Sequence, residues 1–317
     1  MAVAFTFPGQ GSQAVGMGKD LADAFPEARR VFEEIDEALG EKLSKLIWEG
    51  PEETLTLTAN AQPALMAVSL AALRALEARG FSLRDKVSYV AGHSLGEYSA
   101  LAASGFVSVA DAARLLRTRG NAMQAAVPPG EGAMAAIIGL EQADVEAACA
   151  EAAQDSANGA VCQVANDNGG GQLVISGAKS AVELAAKFCT EKGAKRALML
   201  QVSAPFHSAL MAPAAEIMRE ALAGVAKKAP VIPVVSNISV TPTSDPDEIA
   251  RRLIQQVTGR VRWRETVEWF GQNGVSTLYE VGAGKVLSGL ARRINRDIAT
   301  GAVGTAAEVE AALAALG

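Results

Sequence analysis

Gly92-His93-Ser94-Leu95-Gly96 matches the GxSxG pattern of a nucleophile elbow. A serine on such a sharp strand-to-helix turn stands exposed at a helix N-terminus, where backbone N–H groups favour negative charge. The other reading of the pattern is a plain turn with an N-capping serine. A nucleophilic serine needs a base. The chain has 2 histidines, His93 and His207. His93 adjoins Ser94, and adjacent side chains on extended backbone point apart. That leaves His207, in Ser203-Ala204-Pro205-Phe206-His207-Ser208, as the candidate base; a packed or surface histidine is the alternative. No acid stands out as a third member, because Asp245 and Asp247 lie in a stretch that reads as a surface turn. A backbone carbonyl can also fix a histidine tautomer through its Nδ1 proton.

Arg119 is the next residue of interest. Val109, Ala112, Leu116, Arg119 and Met123 fall on one helical stripe, whereas Arg114 and Arg117 fall elsewhere and read as solvated. A guanidinium aimed at the core needs an anion, since an unpaired buried charge is costly. Its partner is either an internal carboxylate or a substrate carboxylate held bidentately. Pro8-Gly9-Gln10-Gly11-Ser12-Gln13 follows a strand and falls at the same sheet edge as the elbow. It reads equally as a simple turn or as a loop with oxyanion donors. Gly282-Ala283-Gly284-Lys285 lacks P-loop spacing, and no dinucleotide fingerprint stands in the right place. Lys285, Arg292, Arg293 and Arg296 concentrate positive charge, which reads first as a solvated helix face.

These residues sit in a chain of 317, so two domains or one large one are expected at roughly 150 residues per domain. Half of the residues are hydrophobic and 20% are charged, an ordinary globular composition. The net charge of −6 argues against non-specific nucleic-acid binding. The longest apolar stretch, residues 64–73, is too short for a bilayer, which needs about 20 residues. The N-terminus lacks the basic region of a signal peptide. The 3 cysteines, Cys149, Cys162 and Cys189, have no CxxC spacing. That points to a reducing, cytoplasmic setting and excludes a zinc site of the usual His/Cys spacing.

Strands are expected at residues 2–7, 87–91, 133–138, 161–165, 172–176, 196–202, 231–236 and 277–281. Helices are expected at 20–39, 63–79, 97–103, 109–123, 142–152, 180–192, 209–222, 247–256, 265–273, 286–295 and 306–317. The order within 128–202 is β-α-β-β-α-β, a ferredoxin-like arrangement opened by Pro128-Pro129-Gly130. The expected fold is an α/β-hydrolase-like parallel-sheet core, residues 1–127 and 203–317, with an inserted ferredoxin-like small domain, residues 128–202.

Four motifs occur in order: Phe7-Pro8-Gly9-Gln10-Gly11-Ser12-Gln13, Gly92-His93-Ser94-Leu95-Gly96-Glu97-Tyr98, Pro205-Phe206-His207-Ser208 and Tyr279-Glu280-Val281-Gly282. Together they resemble the malonyl-CoA:acyl carrier protein transacylases of bacterial fatty-acid synthesis, within the acyltransferase superfamily. The resemblance spans nearly the whole chain. It implies Ser94 as the acylated nucleophile, His207 as its base and Arg119 as the holder of the malonyl carboxylate. It implies an oxyanion hole from the backbone N–H groups of Gln10 and Leu95, and a carbonyl from Gln256 orienting the histidine. Phe206, Met123 and Asn166 are implied as pocket residues, with Phe206 disfavouring a methyl branch on the substrate. The implied substrates are malonyl-CoA and a phosphopantetheinylated acyl carrier protein, with no metal, cofactor, nucleic acid or membrane. A discrete monomeric enzyme is expected. The alternatives are a polyketide-pathway malonyltransferase, a serine esterase or thioesterase, and a non-catalytic carrier-binding scaffold.

Overall fold

The computed structural model describes residues 2–156 and 160–317. Its strands, numbered in chain order, are β1 (Ala2–Phe7), β2 (Tyr89–Gly92), β3 (Gly132–Ile138), β4 (Cys162–Asp167), β5 (Gln172–Ala178), β6 (Arg196–Met199), β7 (Val234–Val235), β8 (Pro242–Thr243), β9 (Val275–Val281) and β10 (Ala299–Val303). They form two sheets. The larger has the order β10-β9-β1-β2-β7-β8 and is parallel except for the β7–β8 pair. The alternation of side chains sends Phe5, Phe7 and Val90 into one core, and Ala4 and Ala91 into a second. The sheet is thus buried on both faces, as a mainly parallel sheet requires.

The smaller sheet is antiparallel, in the order β4-β5-β3-β6, with the helices Gln142–Asp155 and Lys179–Glu191 between its strands. This is the ferredoxin-like arrangement. It is tied to the large sheet's side of the molecule by Val261, which hydrogen-bonds on both sides of Asn166: Val261 N to Ala165 O at 2.8 Å, and Asp167 N to Val261 O at 2.9 Å. That clamp brings the end of β4 to the edge where β1 and β2 finish.

Several sequence expectations shift. The helix expected at 20–39 is two helices, Lys19–Ala24 and Pro26–Leu39, parted by extended Phe25. A residue before proline avoids the helical region, and Pro26 opens the second helix. The helix expected from residue 63 is Thr58–Ala78, with Pro63 inside it. Proline there forgoes one backbone bond, which the almost wholly buried helix tolerates. Short helices at Leu43–Glu49 and Glu52–Thr56, and strands β8 and β10, carry too little periodicity to be read from sequence. Residues 196–202 and 231–236 contribute shorter strands than expected. Among the described residues, no helix is long and apolar enough to cross a membrane.

The elbow depends on close backbone approach. Phe7 pairs with Gly92 in register, and His93 N donates to Phe7 O at 3.0 Å. A Cβ on Gly92 would overlap the Gly96 carbonyl, and one on Gly96 would overlap Phe7 O. Both neighbours are backbone and cannot swing aside. Gly96→Ala is therefore expected to destabilise the protein by about 2–3 kcal/mol or more. Denaturant unfolding checks this; a loss under about 0.5 kcal/mol would contradict such tight packing.

Candidate active site

Ser94 ends the β2 turn with φ 53° and caps the helix Leu95–Ala103. Non-glycine residues rarely adopt positive φ, and such strain persists only where its surroundings enforce it. Asn237 does much of the enforcing. Its Oδ1 accepts from Ser94 N at 2.8 Å, and its Nδ2 donates to Gly92 O at 2.6 Å. His207 also has positive φ, 55°, in the turn before the helix Ala212–Ala223. That turn is held by Ser208 Oγ donating to Pro205 O at 2.7 Å.

These two strained residues meet. Ser94 Oγ lies 2.7 Å from His207 Nε2. His207 Nδ1 lies 2.9 Å from Gln256 O and 3.1 Å from Gly259 O, both at the end of the helix Pro246–Thr258. Carbonyls only accept, so Nδ1 carries the proton and Nε2 presents its lone pair to the serine. No carboxylate is needed for that tautomer. Asp245 instead caps the helix at its far end, accepting from Asp247 N at 2.9 Å.

Arg119 is 1% exposed, on the helix Val109–Ala125. Its Nη1 donates to Gln62 Oε1 at 2.8 Å, and its Nη2 to Gln256 Oε1 at 3.0 Å and Ser94 Oγ at 3.1 Å. Its Nε has no partner. Among the described residues no carboxylate lies within ion-pair distance of Arg119, so the internal-carboxylate alternative is not met by a direct ion pair. The guanidinium also stands 5.6 Å from the Tyr98 ring centre. Arg117 is half-buried against Asn60 rather than solvated.

Ser94, His207 and Arg119 open onto a cavity of about 410 Å³. Gln10, Leu95, Phe206, Met123 and Asn166 also line it. The site residues that the resemblance implies therefore converge here, with Gln256 directly behind. Gln10 N and Leu95 N donate to no protein group among the described residues, and Leu95 N opens the elbow helix. Gln10 is steadied by its Nε2 donating to Thr58 Oγ1 at 3.2 Å. Of the basic cluster, Arg293 reaches the cavity rim, and Lys285 pairs with Glu308 at 2.7 Å. His93 lines the cavity but bonds Asn168 Oδ1 at 2.9 Å, not Ser94.

Sequence reasoning missed Gln62, Glu97, Asn237 and Gly259. Gln62 was hidden by starting its helix at Pro63; a polar residue beside an apolar run was the available signal. Glu97 is the only charge in its helix. Asn237 and Gly259 lie far along the chain from the residues they serve and gave no local sign.

Burial pushes the His207 pKa down to about 3, helped by the Arg119 charge and opposed by the two carbonyls. A depressed imidazole stays neutral, and able to take a proton, through the whole range above that value. With 2 histidines in the chain, ring-proton NMR can follow each one. His207 is expected to show no titration between about pH 5 and 8, and Arg119→Ala to raise its midpoint. A wild-type midpoint near the ordinary 6.5 would contradict the burial account.

The chain matches the acyl transferase domain family over residues 4–293. It is 47% identical over 314 residues to the malonyl CoA-acyl carrier protein transacylase of Bacillus subtilis (strain 168), covering 99% of this chain and 97% of that one. It is 46% identical over 310 residues to the enzyme of that name from Escherichia coli (strain K12), covering 98% of each. The crystal structure of acyl-carrier-protein-S-malonyltransferase from Bartonella henselae superposes with a TM-score of 0.97 at 63% identity, over 100% of this chain and 99% of that one. A malonyl-transacylase solved in complex with its type II PKS acyl-carrier protein gives a TM-score of 0.95 at 44% identity, over 99% of this chain and 100% of that one.

Proposed function

The chain belongs to the acyl transferase domain family, and we propose from that premise how its cavity works. It is an acyltransferase that moves the malonyl group of malonyl-CoA to the phosphopantetheine thiol of acyl carrier protein, supplying chain elongation in fatty-acid synthesis. A malonyl-serine links the two half-reactions. The observation that carries this reading is the Arg119 guanidinium, held beside Ser94 Oγ by neutral oxygens alone.

Ser94 Oγ gives its proton to His207 Nε2 and attacks the thioester carbonyl. The oxyanion is taken by the free N–H groups of Gln10 and Leu95. Collapse breaks the C–S bond, and the CoA sulfur leaves with the proton from His207. The carrier's thiol then passes its proton to His207 and attacks the malonyl-serine ester. The ester C–O bond breaks, and Ser94 regains the proton. Arg119 binds the malonyl carboxylate in place of its contacts with Ser94 and Gln256. Every step uses the chain's own groups and the two substrates.

Phe206 narrows the space around the substrate's α-carbon, with Met123 and Asn166 as further walls. The carrier docks against Arg293 at the rim, with Lys285, Arg292 and Arg296 beside it, through its own acidic face. Residues 1–127 and 203–317 form the catalytic domain, and residues 128–202 the small domain that roofs the cavity. The enzyme works as a cytoplasmic monomer without a cofactor. A type II polyketide carrier is the other acceptor this reading admits, given the complex solved for a relative.

Arg119→Ala is expected to cut malonyl transfer by roughly a hundredfold or more while acetyl transfer is kept or gained. Truncating one partner of a buried, hydrogen-bonded charge pair costs about 2–5 kcal/mol. Parallel loss of both would overturn the role of the arginine. His207→Ala is expected to slow acylation by about 10²–10⁴-fold, the usual contribution of a general base, with the fold retained. Stopped-flow release of CoA measures both; unchanged acylation would remove His207 as the base.

A further inference from the structure

Behind Ser94 lies a buried carboxylate that the reaction above does not use. Glu97, on the helix Leu95–Ala103, is 2% exposed. Its Oε2 accepts from Gln256 Nε2 at 2.7 Å and from Asn237 N at 3.2 Å. The same Gln256 amide donates to Ser94 O at 3.1 Å and accepts from Arg119 Nη2 at 3.0 Å. One amide therefore stands between a buried cation and a buried anion, its N–H side toward the anion and its oxygen toward the cation. This orientation is over-determined. Ser94 O and Glu97 can only accept, and a guanidinium can only donate.

An isolated buried cation is costly. Glu97 supplies a compensating charge one amide away from Arg119, and the field of each acts on the other. Resting on the reading of Arg119 as the holder of a substrate carboxylate, we propose that Glu97 is the resident counter-charge of that guanidinium. In this role it limits how tightly a malonyl group is held. A malonyl carboxylate arriving at Arg119 gains the attraction of the guanidinium and meets the repulsion of Glu97. The repulsion keeps the malonyl-serine from becoming a trap, so that the carrier thiol can discharge it. A neutral acyl group feels neither term. Glu97 touches no reacting atom and acts through Gln256 and Arg119 as a specificity-determining residue.

The test is Glu97→Gln, which keeps an oxygen for Gln256 and Asn237 and removes the charge. Burial pushes Glu97 up to about 7, with hydrogen bonds from Gln256 and Asn237 holding it down, so transfer is assayed near pH 8, where the wild-type carboxylate is charged. Malonyl-CoA and acetyl-CoA are compared as donors with a holo carrier protein as acceptor. The expected result is a KM for malonyl-CoA about tenfold lower, the size of a charge term at several ångströms in a protein interior. The malonyl kcat falls with it, because discharge is slower, and the acetyl KM changes far less. Glu97→Asp, which restores the charge, returns the malonyl KM toward wild type. A malonyl KM that rises or stays fixed in Glu97→Gln, or equal shifts for both donors, overturns the proposal. If Glu97→Gln does not fold, the wild-type pH dependence decides: the malonyl KM is expected to fall relative to the acetyl KM as Glu97 is protonated below about pH 7, and a ratio that stays fixed overturns the proposal. A wild-type protein that transfers no malonyl group would sink the functional reading itself, an outcome visible before any variant is made.

Discussion

A guanidinium buried without an adjacent carboxylate is the constraint around which this site is built. Burial of Arg119 would cost several kcal/mol if its N–H groups were left unsatisfied. The chain answers with oxygens that carry no full charge: Gln62, Gln256 and Ser94. Each of those oxygens needs its own support. Gln62 sits on a helix that runs on through Pro63, and Gln256 is gripped by Glu97, Asn237 and the Ser94 carbonyl. The result is a buried cation whose supports, Gln62, Gln256, Ser94 and the Tyr98 ring, are neutral groups, with its Nε left without a partner among the described residues.

The same residues hold Ser94 and His207. Gln256 contributes its side chain to Arg119 and its backbone carbonyl to His207. Asn237 bonds both sides of the elbow and passes its own N–H to Glu97. Three non-glycine residues among those described have positive φ: Ser94, His207 and Val240. Two form the dyad, and the third lies in the loop that carries Asn237. Backbone strain is concentrated where side chains must be aimed, and the network around Glu97 and Asn237 keeps it there.

Much of this was legible in the sequence because the chemistry-bearing residues are rare or sit in local patterns. Two histidines left one candidate base, the elbow is a contiguous motif, and Arg119 breaks an apolar stripe. The β-α-β-β-α-β order of the small sheet was legible because its strands and helices alternate cleanly in period. What escaped was of two kinds. Proline favours the first turn of a helix, but burial lets this helix begin at Thr58, ahead of Pro63, and Gln62 therefore lies inside it rather than before it. Asn237, Gly259 and the carbonyl geometry at His207 are long-range and partly backbone, so no side-chain pattern announces them. The orienting role of Gln256 came from resemblance alone, because a carbonyl has no sequence signature.

The most direct measurement is the intact mass of the protein after brief incubation with malonyl-CoA, with Ser94→Ala alongside. A cavity that holds a carboxylate at Arg119 and activates Ser94 should yield one malonyl adduct, absent from Ser94→Ala and discharged by holo carrier protein. CoA release that continues without any acceptor and without an adduct would mean that water, not a thiol, takes the acyl group. An adduct that survives in Ser94→Ala would contradict the placement of the nucleophile.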